Sequence, residues 1–373
     1  MVSVVWRSIP TVLSAEELLD KAFSKAKKAG DAVADKDRIY RTRKQMIRMV
    51  GSAGDSLSAT LVEWVKRWPS IDRMSEFDVA MVEAAVGCND YRQSLGACQW
   101  AAGKCVEISQ HNAKKIRRMV NIPPMHEARR EAYGRISSIM GRIEKNLDFL
   151  RDARDTLRTL PMIDSNEPCL VVAGAPNVGK SALISSMSSG KPEIAAYPFT
   201  TRQLHVGHFV NRRLKYQLVD TPGLLDRPME ERNQIEMQAI AALEHVGDLC
   251  LFLIDTSETS GVSMEAQNNL LNEVAGLLPQ TPMLVIDGKG DLIEEIDSDE
   301  WAAVCEMEAA LSENPEGPIP EIRNPATGHL VISATAPAGI ERLRFEIVER
   351  IGQMQDTDPL SLPEHWHVRD DSV

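Results

Sequence analysis

The stretch Gly174-Ala175-Pro176-Asn177-Val178-Gly179-Lys180-Ser181 follows an apolar run, Leu170-Val171-Val172-Ala173, and precedes a helix-like one, Ala182-Leu183-Ile184. Gly-x4-Gly-Lys-Ser set between a strand and a helix is a phosphate-binding loop. Gly174 and Gly179 let backbone N–H groups wrap an anion, and the helix that follows adds partial positive charge at its N-terminus. Lys180 is spaced to reach β- and γ-phosphates, and the Ser181 hydroxyl to ligate Mg²⁺. The pattern predicts binding of a nucleoside triphosphate.

Further elements follow downstream in order. Tyr216-Gln217-Leu218-Val219-Asp220 reads as a strand ending in Asp220-Thr221-Pro222-Gly223. An Asp there can hold Mg²⁺ through its hydration shell, and the Gly223 N–H can meet a γ-phosphate. Tyr197-Pro198-Phe199-Thr200-Thr201 supplies hydroxyls to complete the metal shell. The strand Met283-Leu284-Val285-Ile286 runs into Asp287-Gly288-Lys289-Gly290-Asp291, where the Lys289 stem can lie along a base and Asp291 can accept two hydrogen bonds from guanine. A last strand, Leu330-Val331-Ile332, ends in Ser333-Ala334-Thr335. Together these elements resemble the G domain of a translation-factor-class GTPase, an α/β fold with a mostly parallel sheet.

Two positions depart from the usual pattern. Leu224 stands where many GTPases place a water-orienting Gln, so slow intrinsic hydrolysis is expected. An arginine finger, a cation or a partner can supply the missing stabilisation; Arg202, Arg227 and Arg232 are near in sequence. Gly288 replaces the Asn that normally bonds the base and braces the phosphate loop, which predicts weaker affinity with guanine preference kept. Asn177 is a turn residue that can also help hold K⁺.

The rest of the chain is of a different kind. Residues 1–165 carry 28 Lys and Arg against 21 Asp and Glu, and residues 166–373 carry 14 against 33, so the total charge of −12 splits into +7 and −19. Residues 1–160 read as a helical bundle, 161–168 as a linker, 169–353 as the nucleotide-binding domain, and 354–373 as a loose tail. Ser14 to Glu17 is a capping box. Trp64 and Trp68 share a helix that Pro69 ends. Residues 90–120 form an amphipathic run broken by Pro123-Pro124, and a single helix is expected over 125–160. The basic stretches 110–118 and 125–158, with Lys114, Lys115, Arg117, Arg118, Arg129 and Arg130 at the head, are the candidate nucleic-acid surface. Few aromatics lie among them (Tyr133, Phe149), so the expected contact is with the backbone of structured RNA. The six cysteines lack metal-ligand spacing and read as buried free thiols. No signal segment or membrane span is expected, and a cytoplasmic monomer is.

Asp220 to Ile240, Asp255 to Gly261, Arg130 to Ser138, Ile9 to Leu18 and Leu147 to Leu150 are similar to segments of the nucleolar GTP-binding protein 1 family, within the Obg-like GTPases. The resemblance covers about residues 5–350. It implies a helical domain that contacts ribosomal RNA, a G domain that switches with GTP, and a role in assembling the large ribosomal subunit. It favours Thr201 over Thr200 as a Mg²⁺ ligand. It also implies a short, archaeal-type member without the long C-terminal extension of eukaryotic relatives. Two other readings stay open: a non-catalytic scaffold that binds RNA and holds nucleotide weakly, and a GTPase acting on a protein partner.

Overall fold

The structure is a computed structural model that describes residues 5–164, 166–198, 203–220, 225–226, 240–241, 243–294, 296–311, 317–336 and 338–356. The chain forms two units that part between Met162 and Ile163.

In the first unit the Ser14 hydroxyl accepts the Glu17 N–H at 3.1 Å and the Glu17 carboxylate accepts the Ser14 N–H at 2.9 Å. This reciprocal cap opens α1 (Ala15–Asp31). Asp37 caps α2 (Arg38–Arg67), which ends at Trp68, just before Pro69. Next come α3 (Glu76–Val86) and α4 (Cys88–Arg117). The prolines at 123 and 124 do not break a helix; they sit in the first turn of α5 (Ile122–Arg142). Backbone N–H groups there have no intrahelical partner to lose.

The single helix expected over 125–160 is two: α5 and α6 (Glu144–Leu157). At Ile143 the N–H turns back to the Gly141 and Met140 carbonyls, while its side chain is buried. The apolar periodicity runs on across this tightened turn, which is why the sequence reads as continuous.

The α2–α4 contact is the most extensive in the bundle. Met46, Val50, Ala53, Leu57, Leu61 and Trp64 recur on one buried face of α2. Burial of side chains of this size stabilises by about 1.5–3 kcal/mol each. At Gly54 a Cβ would meet the Cys105 carbonyl at 2.8 Å and press into the Ser109 side chain. Gly54→Ala should therefore lower stability by roughly 1–2 kcal/mol, despite alanine's better helix propensity, because overpacking costs more than propensity returns. Urea unfolding followed by far-UV circular dichroism checks this; a more stable variant would show that α2 and α4 can part without loss.

The second unit begins against its sheet. Gln217 donates to the carbonyls of Asp164 and Glu167 and accepts the Asp164 N–H at 2.8 Å. Its strands are β1 (Cys169–Ala173), β2 (Glu193–Ala196), β3 (Gln203–Asn211), β4 (Leu214–Asp220), β5 (Leu249–Ile254), β6 (Met283–Asp287) and β7 (Leu330–Val331). Among the described residues they form one seven-stranded sheet in the order β2-β3-β4-β1-β5-β6-β7. β1, β4, β5, β6 and β7 pair in parallel; β3 runs against its neighbours, joined to β4 by a two-residue hairpin with Arg212 in the left-handed region. β1 and β5 are buried throughout, as central parallel strands must be. Among the described residues the longer helices are α7 (Lys180–Met187), α8 (Met264–Leu277), α9 (Ser298–Ala310) and α10 (Ile340–Asp356).

All six cysteines are free thiols, and all but the half-buried Cys305 are buried. Burial pushes the Cys98 thiol up to about 12 and Cys105 to about 11. No helix among the described residues is long and apolar enough to cross a membrane.

Candidate nucleotide site

The phosphate loop links β1 to α7. Gly174 has φ 137° and Gly179 φ 107°, a region that side chains avoid, and a Cβ at Gly174 would run into the Leu253 carbonyl. Asn177, at φ 61°, is the loop's left-handed turn residue and lies exposed beside Pro176, between the buried Ala175 and Val178. The Gly174 N–H donates to the Leu225 carbonyl at 3.2 Å. Lys180 begins α7 and is only 7% exposed, with its Nζ donating to the carbonyls of Gly174 and Ala175 at 2.8 Å each. The ammonium is thus held inside the loop's curve, where anionic charge would gather.

Ser181 follows, and its Oγ donates to Oδ2 of Asp220 at 2.5 Å. Asp220 ends β4 and is fully buried, and its Oδ1 has no hydrogen-bond partner among the described residues. A buried carboxylate oxygen without a partner is costly unless a cation or donor meets it. A hydroxyl beside a carboxylate is an all-oxygen donor set suited to Mg²⁺, so these residues fit that ion. His205, paired in register with Asp220 across β3 and β4, brings Nδ1 to 3.5 Å from the same carboxylate.

The loop expected to meet the base lies at the end of β6. Val178, Gly179, Ala182, Lys289, Asp291, Ser333, Ala334 and Thr335, eight of the residues singled out in the sequence, line one cavity of about 290 Å³. A larger recess of about 720 Å³, lined by residues of α9 and α10, includes none of them. Ser333 Oγ donates to Asp291 Oδ1 at 2.6 Å and so orients the carboxylate expected to read a base. Gly290 turns the chain: a Cβ there would strike Trp301 and Val331 at 2.5 Å.

Lys289, at φ 54°, donates from Nζ to Asp255 Oδ2 and to Thr259 Oγ1, both at 2.8 Å. Burial pushes the Asp255 carboxyl up, but hydrogen bonds from Lys289, Ser257 and the Ser260 N–H outweigh it and hold it below the ordinary carboxylate range. Gly288 packs against Leu253: a Cβ at 288 would lie 3.0 Å from Leu253 Cδ1 and 3.4 Å from the Val178 carbonyl. A side chain at 288 would press on the apolar end of Leu253. The sequence reading missed Asp255, His205 and Leu253, which meet the motifs only through strand register and loop closure.

Thr200, Thr201, Arg202, Gly223, Leu224, Arg227 and Arg232 lie outside the described residues.

The predicted nucleic-acid residues separate into two groups. Lys115 pairs with Glu131 at 2.6 Å, and the Arg129 guanidinium lies 5.2 Å from the centroid of Tyr133, which stacks on Phe23. Those two cations tie the bundle together. Lys114, Arg117, Arg118 and Arg130 are exposed, without an acidic partner among the described residues. Arg43 of α2 donates twice to the Met119 carbonyl, at 3.2 and 2.9 Å, drawing the start of α2 to the end of α4. This adds Arg38 and Arg41 to the basic end of the bundle, together with Tyr40, which is 47% exposed under the Lys44 ammonium. Tyr40 is an aromatic side chain outside the stretches considered in the sequence. It lies on α2, far in sequence from those stretches.

Residues 6–164 match the family model described as the NOG1 N-terminal helical domain, and residues 169–287 match that of a 50S ribosome-binding GTPase. An uncharacterized protein of Methanocaldococcus jannaschii is 35% identical over 292 residues, which is 78% of this chain and 82% of the relative. Nucleolar GTP-binding protein 1 of Saccharomyces cerevisiae is 31% identical over 80% of this chain. The chain belongs to the nucleolar GTP-binding protein 1 family. It spans 46% of the length of the yeast family member. A solved structure described as the Plasmodium falciparum member of the family is 30% identical and covers 53% of this chain and 93% of its own, with a TM-score of 0.41. Within the family frame, the helical unit and the mostly parallel nucleotide-binding unit follow each other in the expected order.

Proposed function

We propose that the chain is a GTP-hydrolysing assembly factor for the large ribosomal subunit. Its G domain (169–353) switches with nucleotide, and its helical domain (1–160) grips ribosomal RNA. The observation that carries this reading is the Lys180 ammonium buried in the phosphate loop beside the Ser181–Asp220 pair, whose second carboxylate oxygen has no hydrogen-bond partner among the described residues. The names borne by the two family models and by the yeast relative support the ribosomal role.

In this reading Lys180 and the loop's N–H groups bind the β- and γ-phosphates, and Ser181, Asp220 and Thr201 hold Mg²⁺. The ion, when bound, neutralises phosphate charge. Gly223 offers its N–H to the γ-phosphate, and Asn177 helps hold K⁺. Asp291, oriented by Ser333, accepts from the guanine edge, while Lys289, held by Asp255, lies along the base. With Leu224 unable to orient water, hydrolysis is slow until a partner or cation assists. Exposed Arg38, Lys114, Arg117 and Arg118 neutralise RNA phosphates, and Tyr40 stacks on an unpaired base.

A second reading, a scaffold with a weak nucleotide site, is favoured by one observation: a side chain at 288 would press on Leu253. Calorimetric titration with GTP, GDP and ATP, in potassium and then in sodium, separates the two when followed by turnover measurements with and without large-subunit precursors. Guanine-selective binding with turnover stimulated by particles or potassium is expected. Binding without stimulation by either would leave the scaffold.

A further inference from the structure

Asp287 is the last residue of β6, immediately before the loop that carries Lys289 and Asp291, and its carboxylate is fully buried. Three donors from one short segment converge on it. Asn324 Nδ2 at 2.7 Å and Thr327 Oγ1 at 2.8 Å donate to Oδ2, and His329 Nδ1 lies 2.9 Å from Oδ1. A carboxylate only accepts, so that histidine carries its proton on Nδ1. The donor segment is itself closed: the Ala326 N–H meets Asn324 Oδ1 at 2.9 Å, the Asn324 N–H meets the His329 carbonyl at 2.9 Å, and the His329 N–H meets Thr327 Oγ1 at 3.2 Å. The Ile332 N–H then returns to the Asp287 carbonyl at 2.9 Å, one residue before Ser333, the partner of Asp291.

A buried carboxylate at the end of a strand whose Leu284 and Ile286 are buried apolar residues is costly unless fully paired. Here it is paired with one segment at several points, which stiffens both. The next residue, Gly288, has no side chain to tie the loop to the phosphate loop, and Leu253 meets it with an apolar surface. Backbone bonds from Gly288 to the Ile254 carbonyl and from Gly290 to the Ile332 carbonyl hold the loop, Lys289 ties it to Asp255, and Asp287 adds the side-chain clamp at its root. We infer that Asp287 is a positioning residue for guanine recognition: its clamp by Asn324, Thr327 and His329 sets where Asp291 stands relative to the base. The inference rests on the reading of Asp291 as the group that accepts from guanine.

The test uses GTP and ITP, which lacks the exocyclic amine, so that their affinity ratio reports the hydrogen bond from that amine to Asp291. In the full-length protein, Asp287→Asn turns a carboxylate oxygen into a donor facing donors. It is expected to weaken GTP binding by roughly tenfold and ITP binding by clearly less, so the ratio falls. The exchange Asp287→Asn with Asn324→Asp restores a donor–acceptor pair and should recover the ratio. Thr327→Val removes one donor and should lower the ratio about twofold to threefold; it decides the matter if Asp287→Asn does not fold. Loss of stability with an unchanged GTP/ITP ratio in the variants that fold would overturn the clamp while leaving Asp291 as the reader. Equal binding of GTP and ITP by the wild-type protein would overturn the reading of Asp291, and the inference with it.

Discussion

Replacing Lys180 by alanine is expected to raise the Kd for GTP and GDP by roughly 100-fold, about 2.7 kcal/mol. The size follows from where the ammonium sits. It is buried, and the carbonyls of Gly174 and Ala175 hold it inside the curve of the loop that an anion would enter. Charge-assisted bonds to phosphate in a desolvated setting are among the stronger ones available to a side chain. Whether the fold survives is read directly from the melting temperature of the variant. Lys180→Met keeps most of the volume and should lose as much affinity as alanine, which separates charge from packing. Calorimetry with GTP, with melting temperature measured alongside, checks both variants; GTP binding at wild-type strength in either would remove the phosphate loop from the proposed function.

The phosphate loop was legible because its chemistry lies in contiguous residues and mostly in the backbone. Two glycines and a Lys-Ser pair between a strand and a helix need no partner from elsewhere to be recognised. Asp220 was legible for a similar reason, as a carboxylate ending an apolar strand. Residues that act on these motifs from a distance were not. His205 reaches Asp220 only through the register of the β3–β4 hairpin. Asp255 reaches Lys289 across 34 positions. Gly288 announced a missing side chain, but nothing in the sequence said that Leu253 packs against that position. In the helical unit, apolar periodicity revealed the buried faces. It could not reveal the turn at Ile143, since a break that only redirects the Ile143 N–H to the Gly141 and Met140 carbonyls and keeps its side chain buried leaves the pattern intact. The basic end of the bundle was half legible. Charge on α4 and α5 showed in the sequence, whereas the arrival of Tyr40 and Arg38 depends on Arg43 bridging α2 to the turn after α4.

Asp291→Ala is expected to weaken GTP by roughly 100-fold while leaving ATP nearly unchanged, so that selectivity for guanine collapses. Two hydrogen bonds to a charged acceptor are lost together, and such bonds contribute about 1.5–3 kcal/mol each. The structure gives reasons to expect this without collapse of the site. Asp291 is exposed, and Ser333, which donates to it, keeps its contacts with Thr335 Oγ1 at 3.1 Å and with the Ala336 N–H at 3.2 Å. Gly290 stays wedged against Trp301 and Val331, so the turn that presents position 291 is set by packing and not by the carboxylate. Ser333→Ala should act in the same direction by less, about threefold to tenfold, because it frees the carboxylate to rotate without removing it. Paired titrations with GTP and ATP distinguish this from a general loss of binding. If Asp291→Ala kept its preference for GTP, the base would have to be read by backbone groups of the 333–335 segment. Gly288 would then mark a pocket that has given up side-chain recognition of the base altogether.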